Sequence, residues 1–390
     1  MTSEILRNGF GPIRQVILQA TTFCNIACRY CYLDSRERST RKMMSDATAR
    51  QAFEWVASTG ALAGEIDFRW HAGEPLTRGI PFYHEAYRAA RQVFAGQADV
   101  RFSIQTNGIL INDPWCDFFR DAAVSVGISI DGDQAMHDEH RTDRSGRGTW
   151  ISTMKGISRL RCRQIPFSTI CVLTRRSLSE PDRIFAFFRE LGCVSVGFNY
   201  DDLAIRPSSQ LDDQSTMSDY VSFMERVLEL EEQSEFSIRV REFDQLRHAI
   251  LATNGAEHST MAHPFAILSV GVNGELSTCS PELLTLTPPL GDPMVLGTVW
   301  HDTPGQVVAT FRDSPTGVAI QAGNARCHSA CEFYGVCGGG SPVNRLYEHG
   351  SCEVPDTFYC ESRIKRMVPV VLQRLEQDRN YLLRSRQGAP

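Results

Sequence analysis

Short runs dense in β-branched and aromatic residues recur through the first two hundred positions, separated by stretches whose apolar residues repeat at helical spacing. The pattern predicts strands at Val16 to Gln19, Ile66 to Trp70, Val100 to Gln105, Val124 to Ile130, Phe167 to Leu173 and Val194 to Asn199. Between them it predicts helices near Asp46 to Ser58, Phe82 to Ala95, Pro114 to Asp121, Thr149 to Arg161 and Pro181 to Leu191. Some of these begin on Ser, Asp or Pro, residues suited to a cap or a first turn. Six strands alternating with helices imply parallel βα units with right-handed crossovers, and the largely apolar runs fit strands buried on both faces. The predicted fold is α/β, an open partial (β/α)6 barrel of the TIM type. Its functional groups are expected at the carboxyl ends of the strands.

Beyond residue 200 the pattern changes. A polar stretch containing Pro207-Ser208-Ser209 precedes helical patterns at Met217 to Gln233 and Phe243 to Ala252, read as a bridge, with the acids of Glu229 to Glu235 on a solvated face. From residue 263 a hairpin is predicted, Ala266 to Val272 and Glu275 to Cys279 flanking Asn273-Gly274. Cysteines then crowd toward residue 360, and an Arg-rich helix is predicted from Glu361 to Arg386. The expected organisation is a barrel over 1–200, a helical bridge over 201–262, a Cys-rich domain over 263–360 and a C-terminal helix over 361–390. A length of 390 residues suits a barrel of about 200 to 250 residues with a smaller domain beside it.

Net charge of −6 offers no broad basic field, so a nucleic-acid partner is not expected. No basic start precedes an apolar core at the amino terminus, and no run of eighteen apolar residues occurs, which predicts a soluble, cytoplasmic protein with no membrane partner. Thirteen Cys in a reducing compartment point to metal ligands rather than disulfides. Cys116, Cys162, Cys171 and Cys193 lie singly in apolar or helical stretches and are read as core residues.

Cys24, Cys28 and Cys31 share one loop after the first strand. Three thiolates hold three corners of a cubane iron-sulfur cluster and leave one iron open, whereas a closed zinc site needs four ligands. The bland alternative is a redox pair or half a zinc site on Cys28 and Cys31. His71-Ala72-Gly73-Glu74-Pro75 follows the second strand, Gln105-Thr106-Asn107-Gly108 the third, and Ser129 and Asp131 end the fourth. Singly, Gly73 and Gly132 read as turn residues, Asp131 as a cap and Arg141 as a surface cation; their ordered placement at successive strand ends argues for a shared site. Cys327, Cys331 and Cys337 with a later Cys suit either closed zinc or an all-Cys cluster, and spacing does not choose between them.

The loop CNIACRYCYL, with Tyr30 before its last Cys, resembles the defining loop of the radical S-adenosylmethionine (SAM) enzymes. The resemblance implies a [4Fe-4S] cluster on Cys24, Cys28 and Cys31 with SAM at its open iron. Ala72-Gly73-Glu74-Pro75 is similar to the family's Gly-Gly-Glu-Pro, which receives the SAM amino group, Ala72 departing from the first Gly. Tyr30, Gln105 and Asn107 fall at the same end of the barrel and are carried with this set as cofactor-binding. Ser129 and Asp131 match the ribose-side and carboxylate-side strand, and Arg141 matches a position that pairs with the SAM carboxylate. The Cys-rich tail looks like the SPASM extension of peptide-modifying members, which has seven Cys for two clusters. Gly274 to Cys279 fits its first piece, but no Cys lies upstream and Ser341 stands at the fourth place of the compact group. One auxiliary iron-sulfur cluster, a [4Fe-4S], is therefore expected on Cys327, Cys331, Cys337 and Cys360, with Cys352 as the alternative late ligand and Cys279 free or completing an irregular site.

In detail the chain looks most like the cyclophane-forming peptide maturases, on Trp70 to Pro75, Ser195-Val196-Gly197-Phe198-Asn199, Phe265 to Ser269, Ser280-Pro281-Glu282-Leu283 and Cys337 to Pro342. The resemblance implies that a 5′-deoxyadenosyl radical takes a hydrogen from a β-carbon of a ribosomally made precursor peptide. The carbon radical then joins an aromatic ring. Glu282, Asp244 and His71 are candidates for the base, each equally open to a structural role. A reductant such as flavodoxin or ferredoxin is implied, and strand addition at a sheet edge is the expected mode of peptide docking. Rival readings are formylglycine formation as in anaerobic sulfatase maturases, thioether crosslinking, and a zinc-binding interaction protein.

Overall fold

In the computed structural model, which describes residues 11–200, 214–252, 261–284, 294–354, 356–377 and 381, strands and helices alternate from the start. They run β1 (Ile13–Leu18), α1 (Asp46–Ser58), β2 (Leu62–Trp70), α2 (Ile80–Val93), β3 (Asp99–Thr106), α3 (Asp113–Asp121), β4 (Val124–Ser129), α4 (Gln134–His140), α5 (Trp150–Cys162), β5 (Phe167–Leu173), α6 (Arg175–Leu178), α7 (Pro181–Leu191) and β6 (Ser195–Tyr200). Then come α8 (Gln214–Gln233), β7 (Arg239–Val240), α9 (Arg241–Leu251), β8 (Ile267–Val270), β9 (Glu275–Thr278), β10 (Gly297–Thr298), α10 (Pro304–Asp313), α11 (Pro315–Ala330), α12 (Tyr334–Cys337), α13 (Pro342–His349) and α14 (Met367–Gln377). Helix starts follow their sequence signals: Ser45 accepts from the Thr48 amide, Asn112 from that of Trp115, and Asp133 from those of Ala135 and Met136. Gly192, left-handed at φ 74°, ends α7.

One sheet orders its strands β10-β9-β8-β1-β2-β3-β4-β5-β6-β7. Strands β1 to β6 are parallel in sequence order, the open barrel that the periodicity predicts. The predicted hairpin forms as β8 and β9, and β8 pairs parallel with β1, so the barrel sheet continues into the Cys-rich region. The strands are not apolar on both faces as expected. Val16, Leu18, Phe68, Trp70, Phe102 and Ile104 point outward into the helical layer and are buried, while Gln15, Asp67, Ser103, Gln105 and Ser129 alternate with them and face the interior. There Asp67 accepts from Gln15 Nε2 (3.0 Å), Arg69 Nη2 (2.8 Å) and Ser103 Oγ (2.7 Å). A polar inner wall suits an open cavity rather than a packed core.

Four further expectations are corrected. Glu231 on α8 is buried rather than solvated: its carboxylate accepts from the Val240 amide (2.8 Å) and pairs with buried Arg247 (2.9 Å), because the short β7 leaves a backbone donor that needs an acceptor. Cys162 is exposed, whereas Cys116, Cys171 and Cys193 are buried as expected. The C-terminal helix does not start as a regular α-helix at Glu361; a π-helical turn over Cys360–Lys365 precedes α14 and turns Arg363 inward onto the Phe198 carbonyl. Its expected extension to Arg386 lies outside the described residues apart from Tyr381, as does Pro207-Ser208-Ser209. Finally, neither terminal strand of the sheet is free for strand addition. Glu231 closes β7 at Val240 and Asp302 closes β10 by accepting from the Thr298 amide (2.7 Å). No helix among the described residues is long and apolar enough to cross a membrane.

Candidate active site

The loop after β1 carries Cys24, Cys28 and Cys31 and is held from three directions. Arg144 Nη2 donates to the Cys24 carbonyl (2.8 Å), Asn107 Nδ2 after β3 donates to Asn25 Oδ1 (2.7 Å), and the Cys28 thiol lies 4.0 Å from Arg141 Nη1. Burial, then the charge of Glu74, pushes the Cys24 thiol up to about 12, and the neighbouring Cys28 and Cys31 thiols push the same way. Cys28 rises to about 11 through burial, against the pull of Arg141. The three thiols are thus mutual neighbours, although among the described residues no three Cys, His, Asp or Glu side chains converge at metal-ligand distance. Three thiol donors without a fourth, beside a fixed guanidinium, fit a cluster with one open iron.

Ala72 and Gly73 are both left-handed, at φ 71° and 65°. A Cβ on Gly73 would lie 2.5 Å from the Thr21 carbonyl oxygen and 2.8 Å from that of Phe23, so only glycine lets this turn pack under the start of the cysteine loop. Ala72 tolerates its conformation at a cost of about 1 kcal/mol. The Glu74 carboxylate is used up within the protein, accepting from Leu76 N (3.0 Å), Thr106 Oγ1 (2.6 Å) and Asn107 N (2.8 Å). It ties the loop after β2 to the loop after β3. Burial still raises it to about 7 against those three donors.

Gln105 Nε2 donates to Ser129 Oγ (2.9 Å) across the inner wall. Beyond them Asp131 accepts from Arg141 Nε (2.9 Å) and Nη2 (3.0 Å), from the Val172 amide (3.0 Å), and from the Tyr30 hydroxyl. Burial alone would raise Asp131, but the Arg141 guanidinium outweighs it and holds the carboxyl below its usual range. Arg141, read singly as a surface cation, is buried. His137 supports this pair. Thr149 Oγ1 donates to the Arg141 carbonyl (2.8 Å), so it accepts from His137 Nε2 (3.0 Å), and Nδ1 is left to face the Asp131 amide at 3.5 Å. That is a neutral tautomer. Burial, then Arg141, lowers the His137 ring from 6.5 to about 4, so the unfolded chain binds the proton first as pH falls. Stability is therefore expected to be complete above pH 6.5 and to drop by roughly 3 kcal/mol as pH falls to about 4. Urea unfolding of wild type and His137→Gln across that window checks it: the variant should lack this part of the slope.

In the C-terminal region one small cavity is lined by Cys327, Cys331, Cys337 and Cys360, with Ser341 and Arg345 beside them. Arg345, itself buried, donates to Cys327 Sγ (3.1 Å) and to the Gly339 carbonyl. Cys352 is not on this cavity; it is fully buried, its thiol donates toward the Pro342 carbonyl (3.5 Å), and it sits near Cys279. Four thiols around one cavity with a cationic neighbour fit an all-Cys cluster.

A family model for the Radical SAM superfamily matches residues 18–199. The chain belongs to that superfamily. Over 375 residues, 94% of this chain and 93% of the relative, it is 37% identical to the uncharacterized protein sll1766 of Synechocystis. It is 35% identical over 192 residues to a serine-type anaerobic sulfatase-maturating enzyme of Klebsiella aerogenes, covering 48% of this chain and 47%, about half, of that relative. Among solved structures, native anSMEcpe with bound AdoMet and Cp18Cys peptide superposes with a TM-score of 0.76 at 20% identity, covering 95% of this chain and 100% of that one. Streptococcus suis SuiB bound to precursor peptide SuiA gives 0.65 at 14% identity, covering 91% and 78%. This radical SAM enzyme uses SAM and a [4Fe-4S] cluster, and an auxiliary cluster is typical of its SPASM-type relatives.

Of the residues offered as a base in this radical SAM enzyme, the structure brings two together and separates the third. His71 lies at the end of β2, and its Nε2 is 3.4 Å from the Tyr32 hydroxyl. Burial and then the charge of Glu282 raise Tyr32, and Pro281 and Leu284, which flank the Glu282-Leu283 pair, line one small cavity with His71. His71 is lowered to about 4 by burial and then by Arg69, so it is neutral. Asp244 stands elsewhere, on α9, paired with Arg247 (2.7 Å) and Arg239 (3.7 Å). Tyr32 was not singled out from the sequence; its position next to Cys31 was the available signal.

Proposed function

We propose that this enzyme forms carbon-carbon crosslinks, cyclophanes, between an aromatic side chain and a β-carbon of a nearby residue in a ribosomally made precursor peptide. The carrying observation is the thiol cavity: Cys327, Cys331, Cys337 and Cys360 surround it, and Ser341, at the place where the seven-Cys SPASM pattern has another ligand, stands on its wall. One auxiliary cluster supports the cyclophane reading over formylglycine formation, whose enzymes resemble the complete set. The peptides bound by anSMEcpe and SuiB support a peptide substrate, and SuiB supports a precursor.

When bound, the cluster on Cys24, Cys28 and Cys31 and its SAM supply a hydrogen-abstracting 5′-deoxyadenosyl radical. The chain's own residues do the rest. The turn at Ala72 and Gly73 presents backbone carbonyls to an ammonium, Gln105 and Ser129 face a ribose, Arg141 offers its remaining N–H to a carboxylate, and Asp131 and Tyr30 fix that guanidinium. Glu282 is the proposed base for the ring proton lost on rearomatisation, relayed through Tyr32 and held by neutral His71. Asp244, engaged on α9, is not given that role.

The test is tandem mass spectrometry of the peptide encoded beside the gene, after anaerobic incubation with reconstituted enzyme, SAM and reductant. The expected product has lost two hydrogens, about 2 Da, with fragmentation silenced between an aromatic residue and a neighbour one or two positions on. The 35% identity to a serine-type sulfatase maturase favours formylglycine as a second reading. An aldehyde at a single Ser or Cys would establish that one instead.

A further inference from the structure

Between the barrel's β6–β7 flank and the Cys-rich region lies a cavity of about 450 Å³. Ser195, paired in register with Arg239, forms its barrel wall, and Cys337, also on the thiol cavity, forms the far side. It therefore lies between the amino end of β6 and the auxiliary site. Nothing in the SAM site uses it.

Its polar groups are unevenly matched. Among the described residues, Arg239, Arg241 and Arg363 line it with Glu242 and Asp244 as the carboxylates. Glu242 is committed to the fold: both of its oxygens accept from the Phe198 amide (3.1 Å), and it pairs with Arg241 and with Arg363 (3.3 Å). Among the described residues, Arg239 and Arg363 each keep a buried Nε–H that donates no hydrogen bond, and Arg239 meets Asp244 at 3.7 Å. Arg241 lies flat on the inner face of β6, where a Cβ on Gly197 would fall 2.4 Å from its Cζ, and its Nη2 donates to Asn199 (2.7 Å). The absence of a side chain at Gly197 makes room for that cation. Around these groups the lining is thioether and aromatic, from Met224, Met261, Met367 and Phe243. Methionines adapt their shape to varied apolar side chains.

Donors left without acceptors, an excess of guanidinium over carboxylate and a deformable apolar wall ask for a ligand with carboxylate oxygens next to apolar side chains. Among the described residues both terminal strands of the sheet are closed by carboxylates, which favours other surfaces for a peptide. We infer that this cavity binds an acidic-apolar segment of the precursor peptide, its carboxylate on Arg239 and Arg363, and so places the segment beside the auxiliary site. The inference rests on the peptide-maturase reading.

The test is fluorescence anisotropy under anaerobic conditions with the full-length reconstituted enzyme. The probes are fluorescein-labelled synthetic decapeptides alternating Glu with Leu, Gln with Leu and Lys with Leu. Wild type should prefer the Glu-Leu probe, with an affinity that weakens as salt is raised. Arg239→Glu should weaken that probe by about tenfold or more and strengthen the Lys-Leu probe, a reversal that misfolding cannot produce. Arg241→Gln, with its near-ultraviolet circular dichroism matched to wild type, should also weaken the Glu-Leu probe. Equal binding of the three probes to wild type, or a preference that Arg239→Glu leaves unchanged, overturns the inference. Binding needs no turnover, so an aldehyde product in the mass spectrometric test would remove the cyclophane reading without moving this result.

Discussion

Replacing Cys24, Cys28 and Cys31 by alanine is expected to lower 5′-deoxyadenosine formation at least a thousandfold, to background, measured by chromatography after anaerobic reconstitution with SAM and dithionite. The size follows from the chemistry. Without the thiolates no cluster forms on this loop, and reductive cleavage of SAM has no other route in the protein. The loop itself should survive, because its anchors are elsewhere: Arg144 on the Cys24 carbonyl, Asn107 on Asn25, and Gly73 packed beneath Thr21 and Phe23. The variant is therefore expected to keep its far-ultraviolet circular dichroism and its iron at the second site. Persistent 5′-deoxyadenosine above background would remove the assignment of these three Cys. The same assay on Arg141→Gln should show a weaker SAM dependence, since the guanidinium that Asp131 and Tyr30 orient is gone while the thiols remain.

The barrel was legible because its outer face is written in a regular period: Phe68 and Trp70, or Phe102 and Ile104, alternate with inward Asp67, Arg69, Ser103 and Gln105. The cysteine loop and the strand-end residues were legible because each lies just past such a strand. What could not be read depends on partners far along the chain. Thr106 and Asn107 reach the Glu74 carboxylate from the end of the next strand, and Glu231 looks solvated until Arg247 and the edge of β7 are placed against it. The helices of the C-terminal region were missed for a different reason. In α11 small and polar residues, Thr316, Gly317, Ala319 and Gly323, form much of the buried face, so no apolar stripe marks it. The cavity beside Cys337 was equally silent, since Arg239, Arg241 and Arg363 come from three elements that only the fold brings together.

The late ligand of the auxiliary site, Cys360 by the resemblance with Cys352 as the alternative, leads to the second large effect. Cys360→Ala is expected to lower the iron of the reconstituted enzyme from about eight to about four atoms per chain, whereas Cys352→Ala should leave about eight. The geometry supports the difference. Cys360 starts the π-helical turn and lines the cavity of Cys327, Cys331 and Cys337, and its thiol is raised by burial and then by Cys337. Cys352 lies off that cavity under Gly323, whose Cβ would fall 2.0 Å from the Cys352 carbonyl oxygen, and its thiol turns toward Pro342. Reaching the cavity would require that backbone contact to open. Product formation should separate the variants in the same direction. With Cys360→Ala, 5′-deoxyadenosine should still form on the intact first site, but crosslinked peptide should fall at least a hundredfold, because closing the ring needs an acceptor for the second electron. Iron loss on Cys352→Ala with retention on Cys360→Ala would reverse the assignment and make Cys352 the late ligand. Iron loss on Cys360→Ala with undiminished crosslinking would keep the ligand but remove the auxiliary cluster from the electron path.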